Sequence, residues 1–279
     1  MAEPPLMPAQ LTAYLARIGH EGPVGPDLPT LRALHRAHIT AIPFENLATQ
    51  LGSPPSLDYE EAFARLVSAR LGGWCYQQNG LFGRALRAIG FDVTRLAGAV
   101  MRETRGDDTM GSHLALKVRI DGADWLADVG FGSAMLQPLP LADGRDDAGP
   151  IAISLARTPD GYWRLTTETR SSPMSFDFHD RPAEESDFVR MCVWQGKDAQ
   201  SVFVQNLAVR RLAADAHYGL KGRVLETTTR DGVAKQLIAD GEELVATLRD
   251  RFGLDEPRAK SLWPAVAARH AELFGETIS

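Results

Sequence analysis

The sequence predicts an α+β fold: a helical N-terminal bundle over residues 1–90, a central antiparallel β-barrel over 91–195, and a smaller C-terminal α/β unit over 196–279. Three observations carry this. Apolar residues recur at spacings of three and four as far as about residue 90, and from residue 91 they alternate, broken by Asp-Gly pairs. Past residue 185 a mixed stretch gives way to a hairpin signal and then two helical segments.

The first helices are expected around Leu11 to Ile18 and Leu31 to Ile39, and a third is opened by Asp58 with Glu61 three residues later, a capping-box pattern. Phe63, Leu66 and Val67 give that third helix its core face, and Gly72-Gly73 ends it. Between the second and third lies Ile42-Pro43-Phe44-Glu45-Asn46-Leu47, which reads as an extended linker whose Phe44 and Leu47 plug the core. Cys75 then opens a helix with Phe82, Leu86 and Ile89 on one face and Gly90 as its stop. Strands are expected at Phe91 to Leu96, Leu114 to Ile120, Trp125 to Val129, Ile151 to Arg157 and Tyr162 to Thr167, with turns at Asp121-Gly122 and Asp160-Gly161. The stretch from Phe188 to Leu207 is mixed; beyond it come a hairpin centred on Asp231-Gly232 and helices at Glu242 to Arg251 and Pro257 to Phe274, the latter kinked at Pro264.

With 279 residues the chain can bury a substantial core, and 44% apolar with 24% charged residues is the composition of a folded soluble protein. No run has the apolar length of a membrane span, and Met1-Ala2-Glu3-Pro4-Pro5 lacks the basic and apolar regions of a secretory signal. Two cysteines make no disulfide framework, which points to the reducing cytoplasm. A net charge of −6 gives no footprint for nucleic acid. No metal is expected: the acids of 106–108 and 142–147 read as solvated loops, and Cys192 has no cysteine or histidine at zinc spacing. His20, His35 and His38 read as surface or helix-end histidines.

Cys75 is the candidate nucleophile. It follows a glycine pair and starts a helix, where unpaired N–H groups and the helix dipole favour a thiolate. The other reading is a buried thiol that only packs. Such a nucleophile needs a base, and the base needs a group to orient it. His113 opens a strand after Gly111-Ser112, and Asp128 stands inside the apolar run from Trp125 to Phe131, where a carboxylate must find a partner. A satisfied structural aspartate is the alternative. If residues 121–124 form the hairpin loop, Asp128 faces Lys117 and lies roughly 13 Å along the strand from His113. A longer loop, bulge or strong twist is then required to join them.

These residues and their surroundings resemble the arylamine N-acetyltransferase family. The resemblance rests on Gly72-Gly73-Trp74-Cys75-Tyr76 to Asn79, Ser112-His113-Leu114, Asp128-Val129-Gly130-Phe131-Gly132 and the upstream Ile42 to Leu47. It implies a helical bundle, a β-barrel and an α/β lid around a cysteine-protease-like Cys75-His113-Asp128 triad. It further implies a double displacement: acetyl coenzyme A, a co-substrate and not a bound cofactor, acetylates Cys75, and an arylamine, hydrazine or N-hydroxyarylamine takes the acetyl group. Phe44, Val100, Ser112, Gly130, Phe131 and Phe203 resemble residues lining the family's substrate cleft. The chain departs from the family pattern at Leu71, where a basic residue is usual, at Gln77, where an acid is common, and over 194–201 before Phe203. A related alternative is an amide synthase of natural-product assembly that takes a larger acyl group from a carrier protein or coenzyme A. A cysteine hydrolase or a silent binding protein is also compatible with these residues. Oligomeric state is open.

Overall fold

The computed structural model describes residues 4–132, 134–168, 173–213 and 215–275; Met1, Ala2 and Glu3 of the leader reading lie outside them. The fold is α+β. The N-terminal helices are α1 Pro8–Ile18, α2 Leu28–Ala41, the short α3 Tyr59–Phe63 and α4 Cys75–Ile89. Local chemistry sets their ends. Asp27 accepts from the Thr30 N–H at the start of α2, and Gly19 and Gly90 close α1 and α4 in the left-handed conformation. Asp58 caps α3 through the Glu61 N–H, as expected. Only half of the capping box forms, because the Glu61 carboxylate takes the Ser56 hydroxyl, which itself accepts from the Asp58 N–H. A π-helical turn, Ala64–Ser68, continues α3 and stops at Ala69; Arg70, at a φ of 55°, turns the chain there, so the helix ends before the glycine pair expected to close it.

Among the described residues an antiparallel sheet of eight strands forms a nearly closed barrel. Its strands are β2 Asp92–Val100, β3 Met110–Ile120, β4 Ala123–Ala127, β5 Leu139–Pro140, β6 Gly144–Asp146, β7 Ala152–Arg157, β8 Trp163–Glu168 and β9 Met174–Phe178, in the order β5-β4-β3-β2-β9-β8-β7-β6. Leu96, Leu126, Phe131, Leu155, Leu165 and Phe176 fill it. The opposite face of β3 packs Leu116 and Val118 against Leu34, Phe82 and Leu86 of the bundle. This two-sided burial explains the near-continuous apolar run at Leu114 to Val118.

The turn between β3 and β4 differs from the expected four-residue loop. Asp121 and Gly122 alone make it, with φ of 49° and 80°, and Ile120 pairs with Ala123. An Asp-Gly pair with both residues at positive φ matches the twist of a hairpin, so the shorter turn is favoured. The register therefore moves by two residues, and Ala127 pairs with Leu116.

The mixed stretch resolves into α5 Ser186–Lys197 and the turn α6 Val202–Gln205. A second sheet follows, built from β10 Ala208–Leu212, β11 His217–Lys221, β12 Val224–Thr228 and β13 Val233–Leu237. Its first member is β1, Phe44–Glu45, from the segment expected to be a linker; it pairs with β10 in the order β1-β10-β11-β12-β13. Helices α7 Gly241–Phe252 and α8 Trp263–Phe274 cover this sheet through Leu244, Leu248, Phe252 and Val266. Pro264 lies in the first turn of α8, where its missing N–H costs nothing, and the residues before it, Pro257–Leu262, are 3₁₀; there is a helix start instead of a kink. Among the described residues no helix is long and apolar enough to cross a membrane.

Candidate active site

Cys75 is the first residue of α4 and is 5% exposed. The backbone before it is tied down on both sides: the Glu45 N–H donates to the Gly73 carbonyl at 3.1 Å, and the Gly73 N–H to that of Pro43 at 3.3 Å. Gln78 reinforces this by donating from Nε2 to the Pro43 and Gly73 carbonyls at 2.9 and 3.2 Å. Its Oε1 accepts from His38 Nε2 at 2.7 Å, and the Tyr14 hydroxyl donates to His38 Nδ1 at 2.9 Å. His35 and His38 are wholly buried, which corrects the surface assignment. Burial drives their pKa values down, to about 4 and about 3, so both are neutral members of the scaffold.

His113 stands beside a bulge in β3. Gly98 pairs with His113 but Ala99 pairs with Met110, so Gly111 and Ser112 are pushed out toward α4. The Tyr76 hydroxyl donates to the Gly111 carbonyl at 2.7 Å, and the Cys75 Sγ lies 3.9 Å from that of Ser112. Asp128 follows β4, and the two-residue shift in register sets it nearly opposite Ala115, two residues from His113. That leaves about 7 Å along the strand, a gap the two side chains span. His113 Nε2 donates to Asp128 Oδ2 at 2.6 Å, with both residues 1% exposed.

The carboxylate is held by more than the imidazole. Asp128 Oδ1 accepts from Asn79 Nδ2 and from the Gly130 N–H, each at 2.8 Å. Burial opposes the charged form of Asp128, yet the charge and hydrogen bond of His113, with the Asn79 and Gly130 donors, hold its pKa below the usual carboxylate value. Burial likewise opposes a charged His113, but the Asp128 charge and hydrogen bond and a hydrogen bond to Cys75 push its pKa up to about 10. Such a site can keep an imidazolium beside a sulfur nucleophile and take the proton back from a leaving or attacking group.

Of the expected cleft residues, Ser112, Gly130 and Phe131 lie at the cysteine and histidine. A Cβ on Gly130 would sit 2.7 Å from both the Cys75 Cα and Asn79 Nδ2. Phe131 packs on His113 with ring centroids 5.2 Å apart. Val100 connects through its N–H, which donates to the Ser112 hydroxyl at 2.9 Å. Phe44 and Phe203 pack together at 6.0 Å, and Phe203 meets Trp74 at 5.5 Å, so both flank the residue before the nucleophile. Three further neighbours have no role assigned from the sequence: Asn79, at the end of the cysteine motif, Phe176, whose ring lies 4.4 Å from His113, and Gln195, which donates to the Ser112 carbonyl at 2.9 Å. Only Asn79 had a readable signal, being four residues after Cys75 on the same helical face. At the departures from the family pattern, Arg65 reaches the Gly72 carbonyl at 2.9 Å and pairs with the buried Glu45, and Gln77 is buried with no hydrogen-bond partner for its amide among the described residues.

A family model described as N-acetyltransferase matches residues 27–260. An arylamine N-acetyltransferase of Mycolicibacterium smegmatis is 37% identical over 265 residues, covering 89% of this chain and 93% of that relative. A proansamycin X synthase of Amycolatopsis mediterranei is 37% identical over 183 residues, 63% of this chain and 69% of its own length. Among solved structures, that of Mycobacterium marinum arylamine N-acetyltransferase in complex with CoA superposes with a TM-score of 0.81 at 34% identity, covering 93% of this chain and 97% of that one. The motifs around Cys75, His113 and Asp128 and the fold that joins them thus coincide with a match along most of the chain, and the protein belongs to the arylamine N-acetyltransferase family of acyltransferases.

Proposed function

We propose that the protein moves an acetyl group from acetyl coenzyme A, through an acetyl-Cys75 intermediate, to an arylamine, hydrazine or N-hydroxyarylamine. The observation that carries this is the buried His113–Asp128 hydrogen bond at 2.6 Å, with Cys75 beside it at the start of a helix. In the first half-reaction the Cys75 sulfur attacks the acetyl carbonyl carbon. The bond to the coenzyme sulfur breaks, and that thiolate leaves with the proton held by His113. In the second, the amine nitrogen attacks the thioester, His113 takes its proton, and the Cys75 sulfur is expelled. Asp128 keeps the imidazole oriented throughout. The Cys75 N–H, in the first turn of α4 where N–H groups have no intrahelical acceptor, is the donor for the oxyanion. Phe44, Val100, Ser112, Gly130, Phe131 and Phe203 line the path of donor and acceptor.

In this reading residues 1–90 carry the nucleophile, 91–195 carry His113 and Asp128, and 196–279 close the cleft as a lid. The substrates are small molecules, the reaction takes place in the cytoplasm, and no resident cofactor or metal takes part. The test is mass spectrometry of the protein after incubation with acetyl coenzyme A. One acetyl group on the peptide bearing Cys75, discharged on adding an arylamine, is the expected result; an unmodified Cys75 refutes the mechanism.

The proansamycin X synthase relative supports a second reading, an amide synthase taking a larger acyl thioester from a carrier protein or coenzyme A. Comparing acetyl with long-chain acyl thioesters as donors separates the two. Faster loading by acetyl coenzyme A favours the first.

A further inference from the structure

We propose that Gln195 is a specificity-determining residue, whose side-chain oxygen receives an N–H of the substrate lying on Cys75; this rests on the reading of Cys75 as the acyl carrier. Gln195 is in the last turn of α5 and is 8% exposed. Its Nε2 donates to the Ser112 carbonyl at 2.9 Å, the same oxygen that lies 3.9 Å from Cys75 Sγ. Its backbone carbonyl accepts the Ser201 hydroxyl at 2.7 Å, which ties the end of α5 to the turn that carries Phe203. The side chain is therefore fixed beside the nucleophile.

Its Oε1 is buried and has no hydrogen-bond partner among the described residues. A carbonyl oxygen in that state is destabilising, and orphaned polar groups of this kind in folded proteins call for a functional explanation. Of the groups fixed at the nucleophile, the Ser112 carbonyl is itself an acceptor, the Asn79 amide donates to Leu114 and Asp128, and the His113 Nε2–H goes to Asp128. A donor that arrives with the substrate satisfies the orphan.

Both half-reactions bring such a donor. In a pantetheine thioester an amide N–H stands two carbons from the sulfur, and in the second step the attacking amine carries its own N–H. An oxygen ester such as p-nitrophenyl acetate carries none. Gln195 then favours N–H-bearing substrates over isosteres without that hydrogen, because a hydrogen bond made only with the right substrate discriminates more strongly than added apolar contact.

The test is a cycle between the wild type and Gln195→Met, a near-isosteric change that removes both amide groups, with thermal unfolding to check that the variant folds. Acetyl-Cys75 formation is timed with S-acetyl-N-acetylcysteamine, with its N-methyl amide and with p-nitrophenyl acetate; discharge is timed with aniline. If the pantetheine amide is the donor, N-methylation slows loading of the wild type about five- to tenfold more than of the variant. If the amine is the donor, aniline discharge slows by that factor in the variant and the loading cycle is flat. Either outcome supports the proposal. It is overturned if both half-reactions change less than twofold, or if p-nitrophenyl acetate loading falls as much as the others, which is the mark of a merely loosened site. Absence of any acetyl adduct on wild-type Cys75 overturns the parent mechanism together with this proposal.

Discussion

Replacing Asn79 by Ala removes three hydrogen bonds at the centre of the site. Its Nδ2 donates to the Leu114 carbonyl at 2.6 Å and to Asp128 Oδ1 at 2.8 Å, and its Oδ1 accepts from the Val129 N–H at 2.9 Å. The side chain is fully buried, so bulk water does not replace these partners. Each orphaned backbone group costs about 1–3 kcal/mol, and a water entering the vacated space returns part of that. Asp128 keeps His113 and the Gly130 N–H, so its charge is weakened but not abandoned. The expected loss is about 3–4 kcal/mol, within the 5–15 kcal/mol typical of a folded domain. With a urea slope of about 3 kcal/mol per M, the unfolding midpoint falls by about 1 M. Circular dichroism across a urea series measures this, and iodoacetamide labelling of Cys75 in the folded variant reports whether the site has loosened. Asn79→Asp should be at least as damaging, since a carboxylate then faces Asp128 Oδ1. A midpoint shift below about 0.2 M for Asn79→Ala would falsify the view that this amide holds the carboxylate in place.

Cys75→Ser should abolish acetyl transfer while leaving the thermal midpoint close to wild type, because the change is nearly isosteric; turnover near the wild-type rate rules Cys75 out as nucleophile. For Gly130→Ala, the Cβ at 2.7 Å from the Cys75 Cα forces the β4 end away from α4, and acetylation of Cys75 should slow at least about a hundredfold; an unchanged rate shows that the backbone yields there without consequence. Acid should destabilise the fold through His35, His38 and His217, whose pKa values burial lowers to about 4, 3 and 4. Their contribution is complete above about 6.5 and is lost as pH falls toward 4, by up to about 1.4 kcal/mol per pH unit for each. His113, raised to about 10, has the opposite sign: its contribution is full below 6.5 and fades as pH rises through 10. Urea midpoints should therefore peak near neutrality, and an equal midpoint at pH 5 and pH 7 contradicts the acid half. Burial pushes the Cys192 thiol up to about 12, so iodoacetamide at neutral pH should label Cys75 well ahead of it, as peptide mapping reveals.

How much of this was legible in the chain depended on the range of the interaction. The helix starting at Cys75, the Asp-Gly turns and the capping aspartate at position 58 are local, and their residues announce them. The His113–Asp128 contact was hidden by one choice, the length of the loop after Ile120, because two residues of register separate a bond from a gap. The bulge at Gly111 and Ser112 left no mark in the alternation pattern. Phe44-Glu45 escaped because a strand of two residues has no period, and its partner lies more than 160 residues away at Val209 and Arg210. Gln195 sits on an amphipathic helix like any other buried amide. Only the packing of α5 on β3 turns it toward the nucleophile.

The short strand β1 has a mechanical consequence. It is hydrogen-bonded on one side to β10 of the C-terminal sheet and on the other to Gly73, two residues before the nucleophile. A displacement of that sheet is therefore transmitted through two peptide units to the first turn of α4. Removing the C-terminal third would strip β1 of β10 and leave the Asn46 N–H without the Ala208 carbonyl, so that the approach to Cys75 is braced from one side only. Exchanging that third between relatives exchanges part of the frame that aims the sulfur.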